Sequence, residues 1–165
     1  MRRILRSPAW LAALLIGGAA LPFIIQSVRP GALPVELGPV RLQRTIVGEE
    51  ARALVDHLHG MAVAEHWSAV GFYRGSAGAA TLYVTVYAQA LPAEQAFTSM
   101  DSLIAAGNPV FGHVRRVAMN GQRATVCSGM GQTHFFFVRG RAVYWLAADH
   151  HLAPVAARAL LSAIH

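Results

Sequence analysis

Histidine is the residue type in this chain that is best suited to chemistry, because it occurs eight times in 165 residues. A metal site or an acid–base site needs such side chains on one surface, so their spacing is decisive. His57 and His59 are two residues apart in a segment with helical periodicity, and they therefore point to different sides. No His-x-x-x-His pair occurs anywhere in the sequence, so no helix offers two histidine ligands on one face.

Two short segments combine histidine with other ligand types. Cys127, Met130 and His134 offer a thiol, a thioether and an imidazole, a set that suits copper or haem iron. The run 149–151 reads Asp-His-His at an expected strand-to-helix junction. The simpler interpretations are that Cys127 and Met130 fill space in the core and that the Asp caps the last helix. We therefore expect no metal and no cofactor.

Nucleophile and phosphate motifs are also missing from the sequence. Ser128 lies in Val-Cys-Ser-Gly-Met-Gly, which differs from Gly-x-Ser-x-Gly, and it falls in an expected hairpin rather than in a strand-to-helix turn. Gly129 and Gly131 lack both the third glycine and the helix of a phosphate-binding loop. The sequence thus predicts a protein that is not an enzyme, with no catalytic residue and no identifiable small-molecule substrate.

The N-terminal segment is strongly apolar. From Ser7 to Val28 there are 22 residues without a charge, and a helix of that length spans about 33 Å, enough for a hydrocarbon core of about 30 Å. The whole chain is 55% hydrophobic, with a mean hydropathy of +0.41. These features predict a transmembrane helix in which Gly17 and Gly18 form a candidate packing face. The alternative is a secretory signal peptide that is cleaved near Ala20.

The distribution of charge sets the expected orientation and excludes one class of partner. Arg2, Arg3 and Arg6 precede the apolar segment, which favours a cytoplasmic N-terminus and a periplasmic or extracellular C-terminal domain. The predicted localisation is the inner (cytoplasmic) membrane, crossed once. From residue 30 onward ten Arg face eight acidic residues, so the overall charge of +6 does not indicate a nucleic-acid-binding surface.

Hydrophobic periodicity and turn residues predict the remaining elements. Residues 1–28 are assigned to a cytoplasmic tip and transmembrane anchor, 29–45 to a linker rich in Pro and Gly, and 46–165 to one domain. Helices are expected at 47–58, from Pro92 to Gly107, and at 152–164; strands are expected at 69–74, 81–88, 110–119, 122–128, 133–138 and 141–148. The predicted fold class is α+β: a transmembrane helix followed by a mainly antiparallel sheet of about six strands, with helices packed on one face.

A sheet with helices on one face leaves its other face for solvent or a partner. The strand over 81–88 alternates, and its Thr and Tyr side chains belong to that other face. Aromatic residues also occur on both faces of the last two strands. Tyr83, Tyr87, Phe136 and Trp145 are therefore the candidate interface residues.

These expectations favour a non-enzymatic accessory or assembly subunit. Its partners would be the membrane and other membrane protein subunits, and it would dock on a larger membrane complex from the periplasmic side. The alternative is a periplasmic binding module for a metal, haem or a small apolar ligand, built on Cys127, Met130 and His134 or on the run 149–151.

Overall fold

The computed structural model describes residues 33–59, 66–107 and 109–164. This part of the chain forms eight strands and three helices. In chain order they are β1 Glu36–Leu37, β2 Val40–Val47, α1 Glu49–His59, β3 Trp67–Gly75, β4 Gly78–Val86, α2 Ala90–Ala105, β5 Phe111–Met119, β6 Gln122–Gly129, β7 Gln132–Arg139, β8 Ala142–Ala148 and α3 Ala153–Ala163.

The eight strands form one antiparallel sheet in the order β1-β2-β3-β4-β8-β7-β6-β5. Tight turns join the last four strands into a meander. The turn between β5 and β6 contains Asn120 and Gly121, both at positive φ (50° and 74°), as a type I′ hairpin turn requires. The meander folds back so that its last strand, β8, pairs with β4 and joins the two halves of the sheet.

Both faces of the sheet are covered. On one face α3 contacts β1 as well as β7 and β8, so the sheet curls around this helix. On the opposite face α1 packs on β2 and β3, and α2 packs on β5, β7 and β8. Burial on both sides explains why β7 and β8 are apolar almost throughout, with Phe135, Phe136 and Phe137 buried in succession.

The fold class predicted from the sequence is wrong in two respects. The sheet has eight strands rather than about six, because β1 and β2 lie largely in the segment 29–45, which its Pro and Gly residues assign to a linker. The helices pack on both faces rather than on one. The polar row of β4 does not face solvent, since α1 and α2 cover it and the buried hydroxyls of Ser68 and Thr85 hydrogen-bond to each other at 3.3 Å.

The predicted single-pass membrane architecture and inner-membrane localisation also require correction. Within the described ranges, no helix combines the length and the apolar character needed to cross a bilayer. The longest, α2, has 16 residues and carries Glu94 and Asp101, whereas a spanning helix needs about 20 apolar residues. The predicted anchor, with Gly17 and Gly18, lies outside the described residues.

Candidate interaction site

The two aromatic residues predicted as interface on β7 and β8 lie beneath α2. Phe136 and Trp145 are cross-strand partners, and their rings stack at 4.8 Å with an interplanar angle of 7°. The ring centroid of Phe97 in α2 lies 5.9 Å from that of Phe136. Phe111 of β5 and Trp145 form an edge contact with their ring centroids 5.4 Å apart. Phe136 and Trp145 are predicted as interface residues because their face of the sheet is expected to be open. They are 0% and 3% exposed in the structure, so that face is covered at these positions.

The two tyrosines of the predicted interface are covered as well. Tyr87 is buried with Ala93 of α2 and Val138 of β7. Tyr83 is partly buried between the residues packed under α1 and those packed under α2. Burial raises the pKa of the Tyr83 hydroxyl. The structure therefore brings the four predicted residues to one face of the sheet, but two helices occupy that face.

His134 lies beside these aromatic residues and is buried, at 1% exposure. Trp145 Nε1 donates a hydrogen bond to His134 Nδ1 at 3.0 Å, and His134 Nε2 bonds the carbonyl oxygen of Gly129 at 3.0 Å. Since a carbonyl only accepts, the proton of the neutral imidazole is on Nε2. Burial lowers the pKa of His134, the hydrogen bond to Gly129 opposes this effect, and His150 adds to it. Both ring nitrogens are engaged, so this imidazole has no lone pair free for a metal.

Cys127, Met130 and His134 do not form a ligand set. Cys127 and His134 are cross-strand partners in the core, and burial raises the pKa of the Cys127 thiol to about 11. Met130 is 69% exposed in the turn between β6 and β7. The three residues therefore comprise a protonated thiol and a neutral histidine in the core and a methionine exposed at the surface.

Asp149, His150 and His151 each form a hydrogen bond that connects two parts of the fold. Asp149 Oδ2 accepts a hydrogen bond from the backbone amide of Ala79 at 2.9 Å, and thereby fixes the β3–β4 hairpin to the end of β8. His150 hydrogen-bonds Thr133 at 2.8 Å, and His151 donates to the carbonyl of Ala77 at 2.8 Å. In the part of the chain that the structure describes, no group of three or more His, Cys, Asp or Glu side chains could hold a metal ion.

An ion pair and a buried hydroxyl hold α2 against β5 and β6. Asp101 of α2 accepts hydrogen bonds from Arg116 Nη2 at 2.7 Å and Nε at 3.0 Å through one carboxylate oxygen. Its other oxygen accepts from the Thr125 hydroxyl at 2.6 Å. The Asp101 side chain is only 13% exposed, whereas that of Arg116 is 69% exposed. This network positions β5 relative to α2.

An exposed apolar pair lies where β5 begins and where β6 ends. Met130 has φ 52° and Gly131 has φ 76°, so both adopt the left-handed conformation of a type I′ turn. Val110, which is 50% exposed, lies beside this turn, because its carbonyl oxygen closely approaches Gly129. We call Val110 and Met130 the apolar tip.

Next to the apolar tip, β5 forms one edge of the sheet, and no other described strand pairs with its outer side. Gly112 and Arg115 pair with Ser128 and Val126, so β5 contains one extra residue, a β-bulge. His113 lies in this bulge, exposed and at φ 53°. The opposite edge is different, because β1 has only two residues.

The β5 edge is rich in arginine. Arg115 and Arg123 are exposed, as is Arg116, which pairs with Asp101. Arg115 pairs in register with Val126, on the face covered by α3, and Arg116 with Thr125, on the face covered by α2. Successive residues of a strand point to opposite faces, so an arginine flanks the edge on each side.

Comparisons with known proteins do not assign a family to this chain. No protein-family model and no curated protein matches the sequence. The crystal structure of a GTP binding regulator from Thermotoga maritima is similar to this chain, with a TM-score of 0.49 and 12% sequence identity, over 79% of this chain and 87% of that chain.

Neither the apolar tip nor the β5 edge is among the interface residues predicted from the sequence, in which Met130 is considered only as a possible ligand or as a core residue. One signal for this surface is nevertheless present. Type I′ turns favour Asn, Asp or Gly at their first central position. The chain has Asn120 there in the β5–β6 hairpin but Met130 in the next. An apolar residue at a strained, exposed position departs from local preference, and such departures concentrate at functional sites.

Proposed function

We propose that this protein is a non-enzymatic accessory or assembly subunit that docks on a larger protein complex through the apolar tip. The observation that carries this proposal is Met130, which is 69% exposed in the left-handed region at φ 52°. The left-handed conformation costs about 1 to 2 kcal/mol for an ordinary L residue. Exposure adds no packing energy that would compensate. A contact with a partner supplies a reason for methionine here, since methionine adapts to irregular apolar surfaces.

Two neighbouring features support the same surface. Val110 is a second exposed apolar residue whose backbone lies beside the Met130 turn. The β5 edge presents a strand that no other strand of the described residues pairs with on its outer side. The contacts of Asp101 with Arg116 and Thr125 fix α2 beside this edge. The surface is therefore preorganised, which reduces the entropy lost on binding.

Site-specific photo-crosslinking in the native host tests the proposal. A photo-reactive amino acid replaces Met130 in the full chain, and a second variant carries it at Val155, an exposed apolar residue of α3 with 42% exposure. We expect a discrete adduct with one protein from position 130 that is absent from position 155, and its loss when Val110 is changed to Asp. No adduct from position 130, or the same adducts from both positions, would overturn the proposal.

A further inference from the structure

We propose that the partner contributes an extended acidic segment that adds to the β5 edge as a ninth strand. This inference rests on the proposed function and names the chemistry of the partner. Its first basis is the edge itself: β5 has nine residues, and its outer side has no strand beside it in the described part of the chain. The backbone groups on the outer side of an edge strand are a template for another strand.

The second basis is charge complementarity. Three arginines lie along β5 and its neighbour β6, at positions 115, 116 and 123. Among the described residues, Arg116 forms an ion pair with Asp101, whereas Arg115 and Arg123 have no carboxylate partner. This surface therefore has an excess of two positive charges. An acidic segment would neutralise this excess, because opposite charges on adjacent strands stabilise pairing.

The register of β5 with β6 indicates which residue types the added segment should have at successive positions. Arg115 and Arg116 flank the edge on opposite faces of the sheet. Two consecutive acidic residues in the added strand would therefore pair one on each face. The apolar tip adjoins the first residue of β5, so an apolar residue of the segment should follow about four positions away, at about 3.3 Å per residue.

Protection of the edge against aggregation explains only part of this surface. Charged residues and bulges blunt edge strands, which accounts for Arg115 and for the bulge at His113. It does not account for exposed Met130 and Val110 at the same end, because exposed apolar groups promote association. A specific strand that matches both the charges and the tip accounts for Arg115, Met130 and Val110 together.

Peptide binding to the full chain tests the inference. The probe is a fluorescent peptide of the length of β5, made of Thr and Val, with two adjacent Glu at its centre and a Leu toward one end. Three matched probes accompany it: a peptide with Lys in place of Glu, an acidic peptide N-methylated at alternate amides, and a single-stranded oligothymidine. Fluorescence anisotropy measures binding. We expect the acidic peptide to bind at least tenfold more tightly than each of the other three.

Variants locate the contact. Arg115→Glu should reverse the preference between the acidic and the basic peptide, whereas Arg158→Glu on α3 makes the same change in net charge and should leave it unchanged. Equal binding of the N-methylated peptide would show that no strand is added, and equal binding of the oligonucleotide would indicate a general anion surface; either result overturns the inference. If position 130 crosslinks to a partner but no acidic peptide binds at millimolar concentration, this inference fails while the proposed function stands.

Discussion

The indole of Trp145 donates a hydrogen bond to His134 Nδ1 at 3.0 Å, inside a core where both side chains are at most 3% exposed. The opposite ring nitrogen of His134 donates to Gly129, at the end of β6. One neutral imidazole therefore connects β8 to the turn that carries Met130. Every buried polar side-chain atom in the described residues has a partner, and this bond shows how the aromatic core satisfies that requirement.

Stability should depend on the protonation of His134. Burial holds the pKa of this histidine below its usual 6.5, so between the two values the unfolded chain binds more protons than the folded protein. The free energy of unfolding should therefore be highest above pH 6.5. It should decrease as the pH falls from 6.5 toward the folded-state pKa, by at most about 1.4 kcal/mol per pH unit. Urea unfolding between pH 7.5 and pH 5 measures this dependence.

The matched variants are His134→Gln, which cannot titrate, and His57→Gln, an exposed residue of α1. His134→Gln should lose the part of the pH dependence that His134 contributes, and His57→Gln should keep it. An unchanged slope in His134→Gln would show that His134 does not titrate differently in the folded and unfolded states.

Asp101 should contribute more to stability than the exposed arginine with which it pairs. Asp101→Ala leaves the hydroxyl of Thr125, 1% exposed, without its acceptor, a loss of about 1 to 3 kcal/mol. Arg116→Ala removes a largely exposed partner, and pairs of that kind contribute under about 1 kcal/mol. Chemical denaturation of the two variants compares these values. Equal losses would mean that the ion pair, rather than the buried hydroxyl, holds α2 to the sheet.

Cys127 should be unreactive while the protein is folded. Its side chain is 0% exposed, and burial raises the pKa of the thiol to about 11, so almost no thiolate is present at pH 8. Modification by a thiol reagent at pH 8 should follow the rate of unfolding and become fast only in denaturant. Rapid labelling of the native protein would contradict the burial of this residue.

Local chemistry predicts much of this fold, and long-range packing accounts for what it misses. The hairpin at Asn120 and Gly121 is readable because its turn needs two residues that tolerate positive φ. The helices are readable from their apolar periodicity. In contrast, the alternation of β4 cannot reveal that two helices cover its polar row, since the buried pair Ser68 and Thr85 satisfies its own hydrogen bonding.

The candidate site is even less accessible to sequence reasoning. Strand order places β5 at an edge only because β8 pairs with β4, a contact between residues more than 50 positions apart that no local pattern encodes. Exposure of Met130 likewise depends on the position of its turn in the finished fold. Methionine is an apolar residue type that is often buried, so the sequence alone suggests a packing role for Met130.

Met130 and Asn120 occupy the same position in two hairpin turns of the same type. Substitutions at these two positions measure how much the left-handed conformation of Met130 costs in stability. Met130→Asn should raise the free energy of unfolding by about 1 kcal/mol, because Asn tolerates the left-handed conformation that Met130 adopts at φ 52°. Asn120→Met should lower it by a similar amount, since Asn120 has φ 50° in the same type of turn. Met130→Leu keeps an apolar side chain and should leave stability nearly unchanged. Thermal unfolding of the three variants measures these effects.

The same variants connect stability with docking. If Met130 contacts a partner, Met130→Asn should be more stable yet recover less of the partner that crosslinking identifies, whereas Met130→Leu should retain most of it. A gain in stability without a loss of partner would show that the methionine has no role in binding. The proposed function would then lose the observation on which it depends, because the strain at this turn would have no compensating contact.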